Sequence, residues 1–286
     1  MTNRINLMDY IIGDGSVDDS AGFQTAINAA TASLGLLDTP GFELYCEPGH
    51  HIRLDSGIVI AKPLIAKILS VIDYRGTTGT ALTIGAAGNQ QYHDLHFVGF
   101  VNSTGNTTWP SGINSSGTTG VEVLNLNFSK VRIDTIQGFT RYGFYGNGTN
   151  DHFTGQNIQY NTFDLGQTVN NGVNLNFVSN SAVSGSFEAN FVHVQNSYQG
   201  IFNMYCDGAA TSSNYFLFDA MDDISGTGGQ GMVMNGCWNR IDMTYAGCNS
   251  WFGSTSAHNT LNVYNTSATG ATYTSGGTNN HYNIAT

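Results

Sequence analysis

Along this chain, short stretches in which apolar and polar residues alternate recur at a near-constant interval, the mark of half-buried strands in a repeat. One unit begins at glycine: "GTALTIG" from Gly79, "GINSSG" from Gly112, "GFYGNG" from Gly143, "GVNLNF" from Gly172, "GIFNMYC" from Gly200 and "GMVMNGC" from Gly231. Weaker copies start at Ser250 and Ala271, and the interval falls from 28–33 residues to 19–21 after Gly231. About eight residues after most of these comes a second unit, Asn-x-apolar-x-apolar, at Asn239, Asn259 and Asn280, with looser versions at Asn150, Asn180 and Asn214. Each interval thus predicts strand, polar turn, strand and variable loop. A unit this short cannot bury its apolar face alone, so successive units must stack into a solenoid. Helical repeats are disfavoured because i, i+3, i+4 apolar spacing is missing between the units, and the last intervals are half of the ~40 residues of a propeller blade. Asparagine at the coil corners is expected to be structural, since it tolerates left-handed backbone and its amide can bond a stacked Asn one coil away.

The opening stretch breaks this rhythm. In "GDGSVDDSAGFQTAINAA", Phe23, Ala26, Ile27 and Ala30 fall on one stripe of a short helix, with Asp18, Asp19 and Ser20 supplying its N-cap and Gly13 and Gly15 the turn before it. Asp14, Asp18 and Asp19 lack the Asp-x-Asp-x-Asp-Gly spacing of a calcium loop. "DYIIGDGSVDDSAGFQTAINAA" resembles the opening of pectate-lyase-like right-handed parallel β-helices, a family that includes many bacteriophage tailspikes. "CEPGHHIRLDSGIVI" is similar to that family's Pro-Pro-Gly-x-Tyr strand pair, with Pro48 and Gly49 at the shared positions. Ile11, Ile12 and His51 depart from the pattern. The resemblance implies an all-β right-handed parallel β-helix whose short N-terminal α-helix caps the end of the solenoid. It divides the chain into residues 1–40 with the capping helix, 41–250 as the β-helix, and 251–286 as shorter coils where chains associate.

Composition narrows the partners. Charged residues are 10% of the chain, Gly numbers 36, and 40% hydrophobic content still supports a core, as in a turn-rich β protein. A net charge of -11 with nine Lys and Arg argues against nucleic acid, whose binding needs clustered cations. No apolar run is long enough for membrane insertion, and "MTNRINLMDY" lacks the apolar core of a signal peptide. Four cysteines without paired spacing predict buried thiols, Cys206 and Cys237 stacking in the interior at equal offsets from their coil glycines. His93 and His96 fall on opposite faces of a strand and are expected at the surface or in turns, not on a shared metal. No cofactor and no metal site is expected.

Strands of successive coils lie ~4.8 Å apart, so residues at equal offsets stand in ladders. Aligning the coils on Phe128, Phe153, Phe187 and Phe218 places Glu188 and Asp219 on adjacent coils, about 5 Å apart, the separation of a retaining glycosidase. Asp222 and Asp223 follow with opposite facing, so one can join a catalytic cluster. Arg132, Gln159 and His193 are expected on the outward ladder as substrate-binding groups for sugar hydroxyls or an acidic sugar. Trp109, Trp238 and Trp251 can stack on sugar faces. The preferred reading is a phage tailspike-like depolymerase acting on a bacterial capsule, exopolysaccharide or O-antigen, a homotrimer in the virion or otherwise extracellular. The alternatives are a purely adhesive or structural tail-fibre β-helix, and a free polysaccharide lyase or fructan transferase.

Overall fold

The computed structural model describes residues 3–86, 90–106, 108, 110–148, 157–179, 186–208, 211–222, 230–247, 249–265 and 273–285. Its strands pair with the strand one coil away, in parallel, and not with their chain neighbours. They form a long 12-stranded sheet, a second 9-stranded sheet and a short 4-stranded sheet. One coil passes through all three in turn: Lys130–Gln137 in the long sheet, Tyr142–Gly148 in the second, Asn157–Gln159 in the short one, then Thr162–Val169 back in the long sheet. The protein is an all-β parallel β-helix.

Side chains at alternate positions point inward and stack by type. Val131, Phe163, Val192, Phe216 and Ile241 occupy one register position of the long sheet, and Ile133, Leu165, Val194, Phe218 and Met243 another, all fully buried. Each such side chain contributes about 1.5–3 kcal/mol by burial, which is how short strands with a polar outer face become stable. The glycine units are found on the second sheet, as in Gly79–Ile84, Val173–Ser179 and Phe202–Asp207. "GINSSG" is the exception. It turns, and the strand begins after it at Thr118, where alternation resumes. The short sheet was not visible as a third strand, because runs such as Leu126–Asn127 are too short to show a period of two.

The corner between the short and long sheets repeats most closely. Tyr92, Phe128, Tyr160, Ala189, Ser213, Trp238, His258 and Asn279 all have φ between 50 and 62°. The next residue in the last six consecutive coils is asparagine: Asn161, Asn190, Asn214, Asn239, Asn259 and Asn280. From Asn161 to Asn259 each amide nitrogen donates to the next Asn Oδ1 at 3.0–3.1 Å and to a backbone carbonyl, and Asn280 donates to Ser256 Oγ and the Gly276 carbonyl. Each Oδ1 from Asn190 onward also accepts the backbone N–H of the Asn one coil earlier. The amides are thus buried without loss of a partner. The expected Asn role is present, but in the middle coils it falls to Asn161 and Asn190; Asn150 and Asn180 lie outside the described residues.

The N-terminal helix runs Ser20–Thr31 and buries Phe23, Ala26, Ile27 and Ala30 against the first coil strands Phe42–Cys46 and Ile58–Ile60. Asp18 accepts from the backbone N–H of Ser20 and Asp55, both at 3.0 Å. Asp19 does not cap the helix. Its buried carboxylate accepts from Ile12, Gly13 and Arg53 backbone N–H groups and so ties the preceding turn to the first coil. Gly15, at φ 76°, lets His51 lie over the turn, since a Cβ there would stand 2.6 Å from His51 Nδ1. Two expectations are corrected. Cys206 sits inside the second sheet opposite Phe177 and Met234, whereas Cys237 lies on the short-sheet line between Ser212 and Ala257, so the thiols do not stack. His93 is buried, because its place is the corner position that later coils give to asparagine.

Candidate functional site

Among the described residues, the outer face of the long sheet carries most of the clustered charge. Register places His96, Arg132, Asp164 and His193 on consecutive rungs at one position. His193 Nδ1 lies 3.0 Å from Asp164 Oδ1, and its Nε2 lies 3.2 Å from Asp219 Oδ2 on the following strand, Tyr215–Asp222. One imidazole therefore bridges two carboxylates on either side of it along the solenoid. Both contacts are hydrogen bonds when both ring nitrogens carry a proton, or when one carboxyl is protonated and donates to the ring. The three side chains are partly exposed, Asp219 most at 53%.

The neighbouring rungs extend this network. Arg132 Nε donates to Asp134 Oδ1 at 2.9 Å, and His96 Nε2 lies 3.2 Å from Asp134 Oδ2. The hydrogen bond to Asp134 raises the Arg132 guanidinium further above its usual range, with the charges of Asp134 and Asp164 adding to the effect. Toward the N-terminal end, Lys67, Lys130, His96 and Arg132 line a shallow depression of about 230 Å³ with Glu43 and Asp94 at its margin. Toward the C-terminal end, Asp242 accepts from Arg240 Nη2 at 2.7 Å, Tyr215 OH at 2.8 Å and Asn262 Nδ2 at 2.6 Å. Burial pushes the Asp242 carboxyl up, but bonds from Arg240, Asn262 and Tyr215 outweigh it and hold the group below its usual value. Among the described residues no three His, Cys, Asp or Glu side chains are grouped to hold one metal ion.

The expected site residues divide between two sheets. Arg132, His193 and Asp219 belong to the charged face just described. Glu188 and Gln159 are paired on adjacent rungs of the short sheet, with Ser212 on the next. Glu188 and Asp219 therefore stand on different sheets of adjacent coils and share no ladder, and the 5 Å separation expected of them is corrected. The phenylalanines used to align the coils are not equivalent. Phe128 is an exposed corner residue, Phe187 lies inside the short sheet and Phe218 inside the long one. Asp222 ends its strand opposite Tyr198 and Gly247, three residues beyond Asp219. Asp223, Phe153 and Trp109 lie outside the described residues. Asp164 was missed, although the signal was present: it precedes His193 by 29 residues, one coil interval.

The second sheet carries a groove of different character. Tyr142, Phe202 and Tyr205, with Ile113, Asn176 and Asp207, line about 370 Å³ of open space on its outer face. It is apolar and aromatic where the long sheet is charged. Compared with protein-family models, with curated proteins and with solved structures, the chain shows no significant match.

Proposed function

We propose that this protein binds an extended bacterial surface polysaccharide, of capsule, exopolysaccharide or O-antigen type, across the charged face of its long sheet and hydrolyses glycosidic bonds there. The Asp164–His193–Asp219 bridge is the observation that carries the reading. Two carboxylates spaced by one imidazole supply the acid and base pair that inverting glycoside hydrolysis needs, with the sugar and the attacking water bound over the solvent side of the ring. Asp164, with Arg132 on one adjacent rung and His193 on the other, takes the general-base role. Asp219, on the exposed edge, takes the acid role. Protonated Asp219 gives its proton to the leaving glycosidic oxygen as the C–O bond breaks, while Asp164 removes a proton from the water that attacks the anomeric carbon. Exchange with solvent, which reaches both partly exposed carboxylates, then removes the proton from Asp164 and restores the one on Asp219. Arg132 and the depression beside it orient hydroxyl or acidic groups of the sugar.

The solenoid, its capped N-terminal end and the resemblance of its opening residues support placing this activity on a phage tailspike-like homotrimer, in the virion or otherwise extracellular. Incubation with purified capsular and O-antigen polysaccharides should release new reducing ends, with the anomeric configuration inverted in freshly formed product by NMR. Asp219→Asn and Asp164→Asn should each lower the rate by about 10²–10⁴-fold, the usual contribution of a positioned acid or base. Retained configuration would remove the assigned roles, unsaturated ends would indicate a lyase, and no cleavage of any polymer would overturn the hydrolase reading. A purely adhesive spike is the second reading. The open, uncleft face on which Asp219 stands half exposed favours it.

A further inference from the structure

The left-handed corner position has a chemistry that its backbone does not explain. A residue with φ near 55° is best served by glycine or asparagine, and a bulky side chain there costs of order 1–3 kcal/mol. The chain is rich in both favoured residues, yet this position carries Tyr92, Phe128, Tyr160 and Trp238. These side chains do not recover the cost by burial, since Phe128 is 53%, Tyr160 56% and Trp238 62% exposed. Phe128 and Tyr160 stack with centroids 5.2 Å apart and planes within 5°, and Trp238 stacks on His258 at 4.1 Å and 8°. Among the described residues, the corner between the two stacks holds only Ala189 and Ser213. The result is a notch whose two ends are the free faces of Tyr160 and Trp238, three rungs or about 14 Å apart.

Its walls differ. On the long-sheet side stand Phe191 and Tyr215, with ring centroids 5.4 Å apart, and on the short-sheet side Glu188 and Ser212. Phe191 and His193 share the outer face of one strand, so the notch borders the Asp164–His193–Asp219 cluster. Aromatic faces at both ends, a small-residue floor and hydrogen-bonding groups along one side match a pyranose ring, which is apolar on its faces and polar around its rim. The aromatic stripe is one residue wide, too narrow to form the apolar centre of a stable protein interface. The net charge of -11 disfavours a nucleic-acid base as the stacked ring. We infer that the notch between Tyr160 and Trp238 is a sugar-binding subsite, in which each of these aromatic faces takes a pyranose residue of the polysaccharide next to the cleavage site.

This inference rests on the proposed reading that the ligand is a glycan, and its test separates the two. Tyr160→Asn and Trp238→Asn keep a residue suited to left-handed backbone, so the thermal midpoint should hold or rise. Affinity electrophoresis against a panel of soluble bacterial polysaccharides, neutral and acidic, should show each variant weakened by about tenfold or more. Where cleavage is measurable, KM should rise with kcat unchanged, and polysaccharide should quench tryptophan emission in the parent protein but not in Trp238→Asn. If the parent binds no polysaccharide, the glycan reading and the subsite fall together. If it binds and both variants bind as tightly, the subsite alone is overturned. Variants that keep glycan affinity but lose an oligomer in sedimentation would make the notch a contact between copies, which also overturns it.

Discussion

His93 holds the corner position that the next coil gives to Ser129 and later coils to asparagine, and it is the one described histidine sealed in the interior. Its Nε2 lies 2.9 Å from Gln90 Oε1, and burial pushes its pKa down from 6.5 to about 3. The folded protein therefore keeps this ring neutral through mild acid, whereas the unfolded chain takes up a proton below about pH 6.5. Acidification favours the state that binds more protons, so His93 costs the fold about 1.4 kcal/mol per pH unit between roughly pH 6 and 3. Urea denaturation at several pH values should show that slope. His93→Gln, which retains a polar group at the corner, should flatten it over the range above the carboxylate titrations; an unchanged slope would mean the ring is not the group responsible.

At the scale of the element, the asparagine ladder works as one piece. Every amide between Asn190 and Asn259 both donates to and accepts from its neighbours, so removing a middle member orphans groups on both adjacent coils. Asn214→Ala should cost about 2–5 kcal/mol, the penalty for leaving more than one buried polar group unpaired. Asn280→Ala, at the partly exposed last member, should cost about 1 kcal/mol. Chemical denaturation of both variants checks this, and equal losses would show that the ladder does not act cooperatively. The long-sheet charges belong to the same scale. Asp164 and Asp219 are partly exposed and contribute little to stability, so their substitution should change activity and leave stability within about 0.5 kcal/mol.

The whole molecule is a stack in which each coil touches only its neighbours, so its ends decide how it behaves in solution. The helix Ser20–Thr31 covers the first coil through Phe23, Ala26, Ile27 and Ala30, all almost fully buried. Phe23→Ala should destabilise the protein by about 3–5 kcal/mol and expose an apolar coil end. Light scattering should then show concentration-dependent association at temperatures where the parent is monodisperse. Destabilisation without association would mean that the helix supports the fold without shielding it. The charges on the outer faces leave the net balance at -11, which favours solubility along a surface with many unpaired strand edges at its ends.

The repeat, the polar corners and the capping helix were readable in the sequence because each is a local consequence of side-chain type: alternation makes a strand, asparagine suits a corner, and a stripe at Phe23, Ala26, Ile27 and Ala30 makes a helix. The shared position of Arg132 and His193 also followed from coil spacing, whereas Gln159, expected on the same ladder, stands on the short sheet beside Glu188. What the sequence left open was register. Strands of two or three residues carry no period, and a phenylalanine can stand inside either sheet or outside at a corner, so aligning coils on Phe128, Phe187 and Phe218 joined Glu188 to the wrong sheet. Only the stacked coils decide which residues meet, because a ladder forms from equal offsets after the loops have been placed, and loop length varies freely between coils. That decision brings Asp164 and Asp219 to one imidazole and leaves a notch between Tyr160 and Trp238.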